Sequence, residues 1–85
     1  LRLEVKSKLK GLALKLSAAW FKGIPDRICL LPGGCVVFVE LKAPGKKPTA
    51  IQKIVHKKFR NLGFRVDVID SKEGVKKFIK EFEKC

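Results

Sequence analysis

The sequence lacks methionine, has a single histidine and three cysteines, and contains no long apolar run. One histidine without a second His or Cys at ligand spacing argues against a zinc site. An odd cysteine count without paired spacing argues against a disulfide framework, so we expect a reduced, intracellular protein that is not secreted. No signal peptide is visible and no run approaches the roughly 20 apolar residues of a membrane span. We therefore expect no membrane partner. The absence of methionine, even at position 1, is typical of a truncated, processed or recloned chain.

Acidic residues are also scarce, with 8 Asp and Glu against 20 Lys and Arg and a net charge of +12. Nearly all of this excess precedes Gly63, whereas the C-terminal segment has mixed charges, as an ordinary solvated helix would. A large excess of positive charge indicates a polyanionic partner, and nucleic acid is favoured over an anionic membrane surface. The alternative is that the charge serves solubility alone. With 85 residues, the chain predicts one domain over 1–85 with a thin core.

Hydrophobic periodicity predicts the element order α-β-β-β-α-β-α, which is an α/β fold. Thr49 and Ser71 are expected to cap the second and third helices, and Pro32-Gly33-Gly34 is a strong hairpin turn signal. The predicted helices cover 1–10, 49–62 and 71 onwards, and the predicted strands cover 12–17, 26–31, 35–42 and 64–70.

The hairpin brings two acidic residues into register. If its turn is centred on Gly33, Asp26 faces Glu40 across the ladder, and Lys42 lies on the same face. A two-residue turn at Gly33-Gly34 would shift the pairing by one residue. Carboxylates directly opposite each other repel unless a positive charge lies between them. That charge is either Lys42, in a solvated salt bridge, or a divalent cation such as Mg²⁺ or Mn²⁺, which prefers carboxylate oxygens.

A longer string of residues surrounds this pair. It comprises Gly23-Ile24-Pro25-Asp26-Arg27, Leu30-Leu31-Pro32-Gly33-Gly34, Phe38-Val39-Glu40-Leu41-Lys42-Ala43-Pro44-Gly45 and Gln52. This string resembles the small standalone VRR-NUC (virus-type replication-repair nuclease) domains common in phages, within the PD-(D/E)XK nuclease superfamily. Lys15, in the first strand after Gly11, also matches. The resemblance runs from about Gly11 to Ser71.

The resemblance implies a restriction-endonuclease-like fold with a central mixed sheet flanked by helices. It implies a Mg²⁺- or Mn²⁺-dependent DNA endonuclease, with Asp26, Glu40 and the Leu41 carbonyl as metal ligands. Lys42 would orient or deprotonate the attacking water, and Gln52 would position the substrate or that water. Such domains act in replication, recombination or repair. We therefore expect selectivity for branched DNA, such as Holliday-junction-like or flap structures. We also expect a homodimer, in a bacterial cytoplasm or encoded by a virus.

Several residues have two interpretations. Glu4 is the candidate for a further metal ligand in the first helix, and a surface acid is the alternative. Gln52 also completes a capping box with Thr49. Trp20 and Phe21 are expected to pack, with base stacking as the alternative. The expected nucleic-acid contacts are Lys15, Lys46, Lys47, Lys53, His56, Lys57 and Arg60. A catalytically silent nucleic-acid-binding module and a nuclease fragment of a larger repair enzyme remain as alternative functions.

Overall fold

A computed structural model describes residues 1–17 and 21–83. Trp20, and with it the expectation that it packs, lies outside the described residues. The elements are α1 (Arg2–Lys8), β1 (Leu12–Lys15), β2 (Arg27–Leu31), β3 (Cys35–Leu41), α2 (Ala50–Asn61), β4 (Arg65–Ile69) and α3 (Lys72–Glu83). This order confirms the α-β-β-β-α-β-α prediction. Within the described ranges, no helix is both long and apolar enough to cross a lipid bilayer.

The four strands form one mixed sheet in the order β1-β2-β3-β4. The first three are antiparallel neighbours, and β4 runs parallel to β3. A parallel neighbour requires a crossover, which α2 supplies between β3 and β4. The central mixed sheet with helices is the architecture that the sequence resemblance implied.

The turn between β2 and β3 sets the register of the hairpin. Pro32–Gly34 forms a short 3-10 turn, and Leu31 pairs with Cys35 around it. Gly33 lies at φ +82°, a region that favours glycine because it has no Cβ. The turn is therefore centred on Gly33, and the two-residue alternative is wrong. Since Arg27 pairs with Val39, the next pair outward in this register is Asp26 with Glu40.

The main core lies on one face of the sheet, between the strands and the helices α1 and α3. Its buried members are Val5, Leu9, Ala13, Cys29, Leu31, Val37, Val39, Ile69, Phe78 and Ile79. Their alternation along β2 and β3 follows the period of two that the sequence shows. Burial raises the pKa of the Cys29 thiol to about 11, so this cysteine behaves as a small hydrophobic residue.

The opposite face is covered only in part. Helix α2 packs over β3 and β4, where Phe38 meets Phe59 edge-on at 4.9 Å between ring centroids. On β1 and β2 the side chains of this face stay open, with Leu12, Leu14 and Leu30 exposed at 52%, 46% and 38%. This open apolar face is unusual in so small a domain, which has little apolar surface to spare.

Candidate active site

Asp26 and Glu40 lie together at one end of the sheet. Asp26 directly precedes β2. Its Oδ1 accepts a hydrogen bond from the main-chain amide of Leu41, on β3, at 3.2 Å. Glu40 is on β3 and is only 3% exposed, whereas the Asp26 side chain is 34% exposed. One carboxylate is therefore enclosed by the protein, and the other faces the solvent from which a substrate arrives.

Three nitrogen atoms surround the Glu40 carboxylate. The Gln52 amide donates to Oε2 at 3.4 Å, and Lys42 Nζ lies 3.5 Å from the same oxygen. His56 Nε2 lies 3.6 Å from Oε1. Burial, and then the negative charge of Asp26, raise the pKa of Glu40, and Lys42 offsets part of this effect. The negative charge of Glu40 is therefore only partly compensated by Lys42. A divalent cation bound beside it would stabilise the charged carboxylate further.

Gln52 forms the capping box that the sequence predicted, and its side chain also reaches the Glu40 carboxylate. Its role towards substrate or water stays a prediction. Its main-chain amide donates to Thr49 Oγ1 at 3.3 Å, and its side-chain Oε1 accepts from the Thr49 amide at 2.9 Å. This capping box fixes the first turn of α2. Because Oε1 is occupied by the cap, the Nε2 group points to Glu40.

His56 lies one helical turn after Gln52 and is 1% exposed. This burial leaves no side-chain surface for a phosphate, so the predicted nucleic-acid contact of His56 is wrong. Burial, together with the positive charges of Arg60 and Lys42, lowers the pKa of His56 and favours the neutral imidazole. The sequence signal that places it at the site is the four-residue spacing from Gln52.

The donor set fits a divalent cation. Asp26, directly before β2, and Glu40, on the adjacent β3, supply carboxylate oxygens, and Glu40 Oε1 is buried without a hydrogen-bond partner. Leu41 ends β3 beside both residues. In the ranges 1–17 and 21–83, no group of three or more His, Cys, Asp and Glu forms a metal cluster. The remaining ligands of a bound cation would then come from the main chain, water and the substrate.

Glu4 does not belong to this donor set. It lines a surface cavity of about 270 Å³ between α1 and α3, together with Lys8, Val75 and Ile79. These two helices pack against the face of the sheet opposite Glu40. The structure therefore does not bring Glu4 to the carboxylate pair, and its place on the surface of α1 agrees with the alternative of a surface acid.

The predicted DNA-contacting residues fall into two groups. Lys46 and Lys47 in the loop after β3, and Lys53 and Lys57 on α2, are exposed on elements that carry the site. Lys15 pairs with Arg27, and strand alternation places both on the side of α1 and α3, away from Glu40. The guanidinium of Arg60 donates to the Val66 carbonyl at 2.7 Å, which ties it to β4. The first group lies on the two segments that adjoin the site, the loop after Lys42 and the helix that carries Gln52 and His56.

Gly23 fixes the segment that carries Asp26 against α2. It lies at φ +89°, and a Cβ there would be 2.9 Å from the Ile51 carbonyl oxygen and 3.0 Å from a Val55 methyl group. We expect Gly23→Ala to lower the free energy of unfolding by about 2–3 kcal/mol, because strain and overlap add. Gly33→Ala is the matched control, since its φ is +82° with no atom within 4 Å. Urea denaturation of both variants measures this, and equal losses would contradict the predicted overlap.

Comparison with known proteins gives evidence that is independent of the geometry of the site. No family model matches the chain. A protein of Acyrthosiphon pisum secondary endosymbiont phage 1, named "Putative nuclease p44", is 44% identical over 66 residues, which are 78% of this chain and 71% of that protein. A solved structure described as a VRR_NUC domain is 36% identical with a TM-score of 0.82, over 94% of this chain and 90% of the other. Together with the paired carboxylates, these likenesses show that the chain belongs to the VRR-NUC family of nuclease domains.

Proposed function

We propose that this nuclease domain is a divalent-metal-dependent endonuclease that hydrolyses the phosphodiester bonds of DNA. The observation that carries the proposal is the proximity of Asp26 to the buried Glu40, whose neighbour Leu41 donates to Asp26 Oδ1, with Lys42 Nζ 3.5 Å from the Glu40 carboxylate. Family membership and the name of the phage relative support hydrolysis of nucleic acid. The metal, the DNA substrate and the residue roles below are parts of the proposal.

Asp26, Glu40 and the Leu41 carbonyl would hold Mg²⁺ or Mn²⁺. When bound, such a cation lowers the pKa of water and stabilises negative charge on phosphoryl oxygens. Lys42 orients the attacking water or accepts its proton, and its charge offsets that of the phosphate. Gln52 directs its amide group into the site from α2 and holds the substrate or the attacking water.

The basic residues beside the site would contact the DNA backbone. Lys46, Lys47, Lys53 and Lys57 are exposed on the loop and helix that follow Lys42, and they would offer ammonium groups to phosphates. Phosphate contacts give affinity that falls with salt and carry no sequence information. Recognition by DNA structure follows, with branched forms such as junctions and flaps as the preferred substrates. We place this activity in replication, recombination or repair inside the cell, as the family resemblance implies.

We further propose that the protein is a homodimer formed through the open apolar face of β1 and β2. Leu12, Leu14 and Leu30 lie on that face, which carries Glu40 further along the sheet. We expect sedimentation at twice the chain mass of 9.6 kDa, and a shift to the monomer on Leu14→Glu. Leu3→Glu is the control, because Leu3 is 69% exposed on α1, away from this face. A wild-type monomer at micromolar concentration would rule out this dimer.

Cleavage of a labelled DNA panel tests the function. It contains single strands, a duplex, a flap and a four-way junction, each incubated with Mg²⁺, Mn²⁺ or EDTA. We expect metal-dependent cleavage that is fastest on a branched substrate, and binding that weakens between 50 and 200 mM salt by roughly tenfold per two phosphate contacts. Binding without cleavage in either metal would instead identify a silent nucleic-acid-binding module.

A further inference from the structure

Two buried polar atoms face each other beside the carboxylate pair. Glu40 Oε1 and His56 Nε2 are both inaccessible to solvent and lack a hydrogen-bond partner, and they lie 3.6 Å apart. They are the buried side-chain atoms without a partner among the residues that the structure describes. Such atoms are rare in native proteins because leaving them unpaired costs about 1–3 kcal/mol, so a functional explanation is required.

The two oxygens of Glu40 have different surroundings. Oε2 receives the Gln52 amide and lies near Lys42, whereas Oε1 faces the imidazole alone. A neutral histidine with its proton on Nε2 is a hydrogen-bond donor of fixed direction. Closing the 3.6 Å gap to a normal length of about 3.0 Å requires a small movement, and contacts in an active site often tighten only when it is loaded.

We propose that His56 is a positioning residue that fixes the orientation of the Glu40 carboxylate through Nε2–H donation to Oε1, and so sets the affinity for the divalent cation. This inference rests on the proposed function. Metal-ligating carboxylates are themselves hydrogen-bonded, and the loss of such an outer partner lowers metal affinity by roughly 10–100-fold. Placement on a helix favours this role, because α2 is held at its first turn by the Thr49 cap.

Three variants of the full chain separate donation from packing. His56→Leu removes the donor while keeping an apolar side chain of similar size, and His56→Gln returns an amide donor near the position of Nε2. Val55→Ala is the structural control, since Val55 is buried beside His56 on α2 without a polar group. Mn²⁺ affinity is measured from the electron paramagnetic resonance signal of free Mn²⁺, with and without duplex DNA. The Mn²⁺ concentration for half-maximal cleavage and the thermal unfolding midpoint are measured in parallel.

We expect His56→Leu to weaken Mn²⁺ binding by roughly 10–100-fold and to raise the half-maximal concentration equally, with His56→Gln recovering most of the loss. Val55→Ala is expected to lower the unfolding midpoint and leave Mn²⁺ affinity unchanged. Wild-type affinity in His56→Leu, or equal losses in the Leu and Gln variants, would overturn the inference while the nuclease proposal stands. A wild-type protein that neither binds Mn²⁺ nor cleaves DNA would overturn both.

Discussion

Replacing Glu40 with glutamine is expected to reduce DNA cleavage by roughly 10³-fold or more. The substitution keeps the shape of the side chain and removes the negative charge that would bind the proposed cation. Metal-ion catalysis contributes several kcal/mol to such reactions, which corresponds to this loss of rate. Cleavage of the preferred substrate at saturating Mn²⁺ measures the effect. Glu73→Gln is the control, because Glu73 is an exposed acid in the first turn of α3.

The same substitution is expected to stabilise the fold. Burial and Asp26 raise the pKa of Glu40 above its ordinary value of 4.5, so the folded state binds this proton more tightly than the unfolded state. The contribution of Glu40 to stability is therefore largest below pH 4.5 and is lost as the pH rises through and above that value. In EDTA, Glu40→Gln should melt above the wild type at pH 7, and this difference should shrink towards pH 4.

Added Mn²⁺ should reverse that order of stability. A cation that binds only the folded wild type raises its unfolding midpoint, whereas the glutamine variant has lost a ligand and should show little shift. Wild-type cleavage by Glu40→Gln would refute the assignment of Glu40 as a metal ligand. An unchanged midpoint in EDTA would instead show that Lys42 already compensates the buried charge.

The second large effect is expected from Lys42→Met, with a loss of roughly 10²–10⁴-fold in cleavage at saturating metal and DNA. The ammonium group lies 3.5 Å from Glu40 Oε2 and the Lys42 side chain is 17% exposed, so methionine fills the space of its stem without the charge. Binding of Mn²⁺ should be retained or tightened, because a competing positive charge has left the carboxylate. Retained Mn²⁺ binding would distinguish the role of Lys42 from that of Glu40, because the Glu40 variant is expected to lose metal affinity.

Single-turnover cleavage and Mn²⁺ titration measure these two quantities separately. Lys46→Met is the matched control, since Lys46 is exposed in the loop after β3 and is expected to affect DNA affinity alone. If Lys42→Met lost Mn²⁺ affinity to the same extent as activity, Lys42 would act by holding Glu40 rather than on the attacking water.

Local patterns were sufficient for much of the fold. The Pro32-Gly33-Gly34 signal predicted the hairpin, and the structure centres its turn on Gly33, which determines every pair along the two antiparallel strands. From that register the Asp26–Glu40 pairing followed. The capping box of Thr49 and Gln52 is likewise local, because its partners are three residues apart.

Tertiary packing decided the surroundings of the site. Helical periodicity puts His56 on the side of Gln52 but does not show that α2 lies over β3, so the sequence predicts a DNA contact for a residue that the structure buries beside Glu40. Glu4 lies far from the predicted position for a similar reason. The seven residues of α1 do not specify the face of the sheet on which this helix packs. Each outcome depends on contacts between elements distant in the chain.

The sequence by itself therefore determined the order of elements and limited the hairpin to two registers, in one of which Asp26 faces Glu40, because these depend on turn signals and a period of two. Only the tertiary structure decided which face each helix covers. It brought His56 to Glu40, removed Glu4 from the site and left the apolar face of β1 and β2 open. The physical reason is that burial and the pairing of charges are set by packing between elements, which local periodicity does not specify.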